Sequence, residues 1–489
     1  MPVAVDLLDT CLLFLFVFFL IFYLLKNKHP HNFPPGPWGM PLLGNVSNAL
    51  DHHAIEKVSE KYGEIFSLRV AGEKIVLVVG YELVKEVLLT QGHNFLDRLV
   101  SPLCNEVFQR KGISTSNGYR WRRQRHFFDS QLNKFGESKR KQEFYIQQEC
   151  IFLCDAIEDE MGCPFNPHLI ISSAVANVIA SLVFGKRFDY EDTDFRNLLH
   201  LSAESTLLAG SPLVWLYDAF PSLMKHFEGP HTTILANYSK LLGFLKKQIE
   251  KHKKDWDPFN HSDFTDVYIG EIDKRRKDTD AAFTVDNLAH CILDLFETGT
   301  GPMTSTLLWS LLLMAKHPEV QKNVQAEIDR VIRKSRRPCL MDRASMPYTE
   351  AVLHEIQRVG NVLPLGVPHK AFRDTTLGKY FIPKGTVVVT SLASVLSDKG
   401  QWERPQEFYP KHFLDDQGHF RKRELFLPFS AGKRACLGEN LARMELFLFF
   451  TSLLQHFTFS APQGVQLNVE AQGASARSPK PFHICVSLR

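Results

Sequence analysis

The readable elements of this sequence are mainly helical, with a small β region, and they follow an apolar N-terminal segment. The first observation is the longest periodic stretch, Phe283 to Lys316. Thr284 is placed to cap it and His317-Pro318 to end it, and the roughly 32 residues between would span ~48 Å as a helix. Shorter helices are read at Tyr81–Leu89, Ala174–Asp189, Glu350–Val359 and Asn440–Leu446, the second with a glycine stop at Gly185. The second observation is how little strand signal there is. Ile65–Val70 and Lys74–Val79 flank Ala71-Gly72-Glu73 as a hairpin, and Thr386–Thr390 is a short β-branched run entered through Gly385. The third is Cys11 to Leu25, 15 uncharged and almost wholly apolar residues.

That stretch is shorter than the ~20 residues of a full span, and Val3 to Leu8 can extend it if Asp6 and Asp9 lie at the interface. It lacks the basic n-region and small-residue cleavage site of a signal peptide, so a retained anchor is expected. Lys26 and Lys28 follow it, which places the rest of the chain in the cytosol. Phe33-Pro34-Pro35-Gly36-Pro37 comes next and reads as a stiff, extended connector. At 489 residues, length alone suggests about three domains, but no linker, repeat or low-complexity tract divides the chain. A net charge of +3 is too mild to suggest a nucleic-acid partner. Nine cysteines with no Cys-x-x-Cys pair argue for a reducing compartment, without disulfides or zinc.

The chemistry concentrates at Phe429-Ser430-Ala431-Gly432-Lys433-Arg434-Ala435-Cys436-Leu437-Gly438-Glu439. An aromatic lies seven residues before Cys436, a cation two before, glycines lie at 432 and 438, and a helix-forming run follows at once. A helix N-terminus favours an anion and lowers a thiol pKa. Glycines let backbone amides approach a sulfur. Together these suit a cysteine that must stay a thiolate on a metal. The plain alternative, a buried cysteine at a loop–helix junction, does not explain the flanking pattern.

The pattern Phe-x-x-Gly-x-Arg-x-Cys-x-Gly resembles the cysteine loop of the cytochrome P-450 superfamily. The run from Leu427 to Phe447 resembles microsomal family two, and the C-terminal half its fatty-acid (arachidonate) epoxygenase and hydroxylase subfamilies. The resemblance extends over nearly the whole chain. It implies one large, mainly helical domain with a small β region, divided as anchor 1–30, proline-rich hinge 31–45 and catalytic domain 46–489. It implies haem b, with Cys436 as axial ligand and sole metal ligand, and Phe429 and Arg434 beside the cofactor. A thiolate below haem iron favours O–O cleavage. It implies an endoplasmic-reticulum membrane location with a single-pass anchor. NADPH-cytochrome P-450 reductase is the implied electron donor, with cytochrome b5 a further candidate.

By the same resemblance Arg98, Trp121, Arg125 and His369 contact the haem propionates. Trp121 and Arg125 are four apart and share a helix face, though that spacing alone is more often surface packing. Arg120, Arg122 and Arg123 cannot all face inward; with Lys433 they form either a donor-docking surface or a solvated face. Glu355-x-x-Arg358 matches a buried structural pair that reaches Pro405–Phe413, where His412 replaces the general pattern's arginine. Phe296, Val362, Leu363, Leu365, Ala474 and Ser475 are substrate-pocket candidates. Ser211–Phe227, with Trp215 and Phe220, is either a second membrane contact or core.

The centre of the long helix reads Thr298-Gly299-Thr300-Gly301-Pro302-Met303, where the family pattern is Ala/Gly-Gly-x-Asp/Glu-Thr-Thr/Ser. Gly299 is kept. The acid and alcohol that relay protons to dioxygen are replaced by Gly301 and Pro302. Pro302 frees the Thr298 carbonyl and predicts a kink. Gly299 and Thr300 join Cys436 as catalytic candidates. Three functions follow: a monooxygenase of apolar substrates, fatty acids or xenobiotics; a peroxide isomerase needing no reductase; or a haem-binding protein with weak turnover.

Overall fold

Burial on several sides of one helix, Val285–Lys316, sets the architecture. Thr284 caps it by accepting from the Asn287 N–H, and His317 closes it in a non-helical conformation before Pro318. The computed structural model describes residues 10–11, 13–14, 17, 30–39, 44–45, 52–70, 73–132, 137–259, 262–333, 336–473 and 476–489. The elements used below are labelled in chain order: α1 Gly118–Leu132, α2 Glu137–Glu158, α3 His168–Phe184, α4 Thr193–Ala209, α5 Pro230–Lys254, α6 Val285–Lys316, α7 Pro347–Gly360 and α8 Glu439–His456. The strands are β1 Ile65–Val70, β2 Glu73–Val78, β3 Asp97–Arg98, β4 His369–Lys370 and β5 Val387–Thr390.

The central helix α6 packs against α3, α5, α7 and α8. Leu307, Leu312 and Met314 of α6 and Phe447, Phe449 and Leu454 of α8 sit in one apolar core with residues of α2, α3 and α7. A second core joins α1, α3, α4, α5 and the first half of α6 around Phe127, Phe195 and Phe296. Fully burying a large apolar side chain contributes about 1.5–3 kcal/mol, so these two clusters dominate the stability.

The β region is a five-stranded sheet in the order β1-β2-β5-β4-β3. β1 and β2 form the expected antiparallel hairpin, with Phe66 opposite Leu77. β2 runs parallel to β5. β4 is antiparallel to both β5 and β3, and its register sets His369 opposite Arg98. The proline-rich stretch lies against this sheet: the Ser67 N–H donates to the Pro35 carbonyl at 2.7 Å and its hydroxyl to Pro34 at 2.8 Å. Phe33 is buried there.

Two local readings change, and a third segment, left open between membrane contact and core, takes a definite form. The core helix read at Ala174–Asp189 runs His168–Phe184, with Gly185 in the left-handed conformation as its cap. Phe95–Ser116, which showed no period, holds β3 and a two-turn helix, Pro102–Phe108, capped by Ser101. Ser211–Phe227 forms two short helices, Pro212–Ala219 and Pro221–Met224, with Val214 and Tyr217 buried and Leu213, Leu223 and Phe227 exposed. Among the described residues no helix is long and apolar enough to cross a membrane. Most of the expected anchor, 1–30, lies outside the described residues, as do Ala474 and Ser475.

Candidate active site

The loop around Cys436 is shaped by a close approach. Gly432 has φ +77°, and a Cβ there would lie 2.0 Å from the Leu88 carbonyl oxygen, so only glycine fits. From that anchor the loop closes on itself: the Cys436 N–H donates to the Phe429 carbonyl at 3.0 Å and Ala435 to Gly432 at 3.1 Å. α8 starts three residues after Cys436. Arg443 on its first turns pairs with Glu439 and lies 5.1 Å from the Phe429 ring centre. Cys436 is exposed. Surrounding protein still pushes its thiol pKa up, opposed by the Gly438 amide and by Arg125. A free thiol there is protonated; a metal is what would hold it as thiolate.

Two guanidiniums reach this loop from separate elements, and the loop supplies a third, Arg434. Arg98, from β3, donates to the Val367 carbonyl at 2.6 Å and to the Arg434 carbonyl at 3.3 Å. Arg125, from α1, reaches the Ala435 carbonyl at 2.9 Å and pairs with the half-exposed Asp129. Arg434 donates to Leu96, Ser116 and Asn117 at 2.8–2.9 Å and lies 3.8 Å from the Trp121 ring centre. Such a desolvated cation–aromatic pair contributes about 2 kcal/mol. Burial and the neighbouring guanidiniums lower Arg98 to about 10 and Arg434 to about 8. Among the described residues neither forms an ion pair. His369 donates from Nδ1 to the Phe95 carbonyl at 2.7 Å, and burial together with Arg98 lowers it to about 3. Buried positive charge without matching carboxylates is costly. A dianionic group beside Cys436 would relieve it. The residues therefore fit haem: one soft thiolate for the iron, and Arg98, Arg125 and Arg434 as counter-charge for two carboxylates.

Below the loop, Glu355 and Arg358 form a bidentate pair at 2.8 Å with both side chains almost fully buried. Arg358 also donates to the carbonyls of Leu396, Pro405 and Glu407 at 2.7–2.9 Å. Glu355 accepts from the Tyr409 N–H. The Arg404 N–H donates to Nε2 of His412, so the His412 proton sits on Nδ1 and faces Glu355 at 3.2 Å. This lattice ties α7 to the segment 404–413 that precedes the cysteine loop.

At the centre of α6 Thr298 and Gly301 are exposed and Glu297, Gly299, Thr300 and Pro302 are partly so, between the buried Phe296 and Met303. The Thr298 hydroxyl bonds back to the Asp294 carbonyl and that of Thr306 to the Pro302 carbonyl. The other catalytic candidates lie on different faces. Gly299 faces α3: a Cβ there would lie 2.8 Å from Cδ1 of Ile179. Thr300 lines a cavity against α4 and α5 with Phe296 and Glu297, and its Oγ1 is buried without a hydrogen-bond partner. Phe296 packs near Phe184, ring centres 6.4 Å apart. Leu365 sits in a core with Phe66 and Leu77, Val362 packs at the edge of the main core, and Leu363 is half-buried.

Two acids were not legible as site residues. Asp294 accepts from the Ile113 and Ser114 N–H groups at 2.6 and 3.0 Å, docking the segment 112–117 on α6. Arg434 holds the other side of that segment. Burial raises the Asp294 carboxyl to about 6. Glu297 lies three residues on, within the same apolar helix; an acid on an apolar face was the only signal, and periodicity alone does not separate such a residue from a solvated one.

Fold and site together define a haem-thiolate protein. The cytochrome P-450 family model matches residues 34–486. Cytochrome P-450 2J2 of Homo sapiens is 44% identical over 479 residues, 97% of this chain and 95% of that protein. Cytochrome P-450 2J1 of Oryctolagus cuniculus is 45% identical over 478 residues, again 97% and 95%. Cytochrome P-450 2H1 of Gallus gallus is 42% identical over 457 residues, 92% of each. The chain belongs to the cytochrome P-450 family, in its family-two branch, whose members are monooxygenases carrying haem b on a cysteine thiolate.

Proposed function

We propose that the chain is a membrane-anchored monooxygenase of the endoplasmic reticulum that hydroxylates or epoxidises apolar substrates, polyunsaturated fatty acids first and xenobiotics second. Residues 1–30 are the anchor, 31–45 the hinge and 46–489 the cytosolic catalytic region. The observation that carries the reading is the Cys436 loop with Arg98 and Arg434, which have no ion-pair partner among the described residues, and Arg125 beside them. Haem, when bound, supplies the binding and cleavage of dioxygen. Cys436 would ligate the iron and the guanidiniums would hold the haem carboxylates, while Glu355–Arg358 keeps the cysteine loop in place. The exposed Arg122 and Lys433 line one surface concavity with His93 and Arg373, a basic face suited to an acidic electron donor such as the NADPH-dependent reductase.

The absence of acid and alcohol at Gly301 and Pro302 favours a second reading, a peroxide isomerase that needs no reductase. A carbon monoxide difference spectrum followed by product screens separates the two. A red-shifted reduced band that Cys436→Ser abolishes supports the thiolate. Fatty-acid oxidation requiring NADPH and reductase supports the monooxygenase. Turnover of a fatty-acid hydroperoxide without reductase, with no oxidation of the fatty acid itself, would replace it with the isomerase.

A further inference from the structure

The long helix has lost an acid at Gly301, but it carries another one turn earlier. Glu297 and Gly301 are four residues apart, neighbours on successive turns of α6. A Cβ at Gly301 would meet no atom within 4 Å, so the position left by the lost acid is open. Glu297 lines a cavity of about 20 Å³ with Ser202, Thr300 and leucines of α4, α5 and α6. That is the volume of a single water molecule, which needs two to four polar partners. The partners are there. Ser202, Glu297 and Thr300 all line the cavity, and the buried Thr300 Oγ1 is without a partner.

We propose that Glu297 is the proton-donating acid of this site, with Thr300 and one enclosed water completing the function lost at Gly301 and Pro302. The inference rests on the monooxygenase reading. That reaction, RH + O2 + 2 e− + 2 H+ giving ROH + H2O, takes its electrons from the NADPH-fed donor and needs two protons. As the O–O bond breaks, one oxygen goes to the substrate and the other leaves as water. Glu297 gives up one of that water's protons from its carboxyl and is reprotonated from solvent. The environment suits the task. Burial lifts the Glu297 carboxyl to about 7, opposed by the Ser202 hydroxyl, assisted by Asp294 and opposed by Tyr238. An acid near the working pH is the most effective proton donor. The titratable groups around it are Asp294 on its own helix, Tyr238 on α5 and Cys104 beside Tyr238; no cation contributes to its titration.

A merely structural Glu297 would tie α4 and α5 to α6 through Ser202 and Tyr238. Glu297→Gln keeps hydrogen-bonding capacity and removes the proton, so it separates the two roles. In the haem-loaded enzyme with reductase, NADPH and a polyunsaturated fatty acid, E297Q is expected to cut product formed per NADPH at least tenfold, with peroxide released instead. Its pH–rate profile should lose the inflection near neutrality. Infrared titration of the protein without substrate should show a carboxyl band near pH 7 that E297Q lacks. Moving the acid back, with Gly301→Glu in the E297Q background, should restore coupling. Thr300→Val, which leaves the acid in place, should lower coupling to a smaller degree. Unchanged coupling and an unchanged pH profile in both E297Q and T300V, with an intact carbon monoxide band, would overturn the proposal and leave the monooxygenase standing. Loss of that band in the unsubstituted enzyme would instead overturn the reading beneath it.

Discussion

The proximal loop and the centre of the long helix are built in opposite ways. Around Cys436, backbone and side chain hold each other: Arg434 has four protein acceptors, Arg98 three, and Gly432 fits a space that admits no side chain. At the centre of α6 some of the polar groups are loose. The Thr300 and Thr304 hydroxyls are buried without partners, and Pro302 withdraws a backbone donor. A loop that must hold one ligand tolerates only one geometry, and its residues are near neighbours in sequence. The helix centre needs only to place a proton source, and that can move by a turn without changing the helix. Family membership is therefore readable in the loop, while what is particular to this chain is written in α6.

The sharpest way to break the rigid side is Arg358→Ala. It leaves Glu355 as an uncompensated buried charge, which costs about 3–5 kcal/mol. Thermal denaturation should show that loss, and the variant should retain haem poorly. Replacing both partners with apolar residues of similar volume should cost much less than either single change. Equal loss in the single and double variants would mean that the arginine's carbonyl contacts, not the charge pair, hold the loop.

A smaller effect is expected where the two regions meet, at Asp294. Its folded carboxyl titrates near 6 against an ordinary value of 3.8. Between those values the unfolded chain has released its proton and the folded protein has not, so stability falls as pH rises through that window. Above it the loss is complete, about 3 kcal/mol at 1.36 kcal/mol per unit. Asp294→Asn should remove this slope between pH 4 and 6 while weakening the dock of residues 112–117. A denaturation midpoint with the same pH slope in both proteins would place the titration elsewhere.

Much of this was visible in the sequence because the physics is local. The end of α6 at Lys316 and its cap at Thr284 follow from a hydroxyl and a proline, and the β1–β2 hairpin from alternation around a glycine. α3 was placed several residues late because a helix buried all round has no period to read. Pro102–Phe108 escaped because two turns are too short for one, although Ser101 followed by proline was a start signal. Arg98 and His369 could be singled out only by resemblance; their adjacency is a matter of sheet register across more than two hundred and fifty residues. The second face of α6, where Glu297 and Thr300 lie, is decided by which helices pack on it, and one sequence does not state that.

Gly299 tests how far the loose region extends. Resemblance makes it a catalytic candidate, whereas its place against Ile179 makes it a packing residue. Gly299→Ala gains about 1 kcal/mol of helix propensity. It also brings a Cβ within 2.8 Å of the Ile179 Cδ1 methyl. That atom is the end of a flexible side chain, so the clash is relieved by a rotamer shift at a cost of about 1–2 kcal/mol. The two terms nearly cancel, and the expected result is a melting temperature within a few degrees of the unsubstituted enzyme and unchanged product per haem. Adding Ile179→Val removes the methyl and should leave the propensity gain, making the double variant the more stable protein. A fall in product formation at constant melting temperature would return Gly299 to the site.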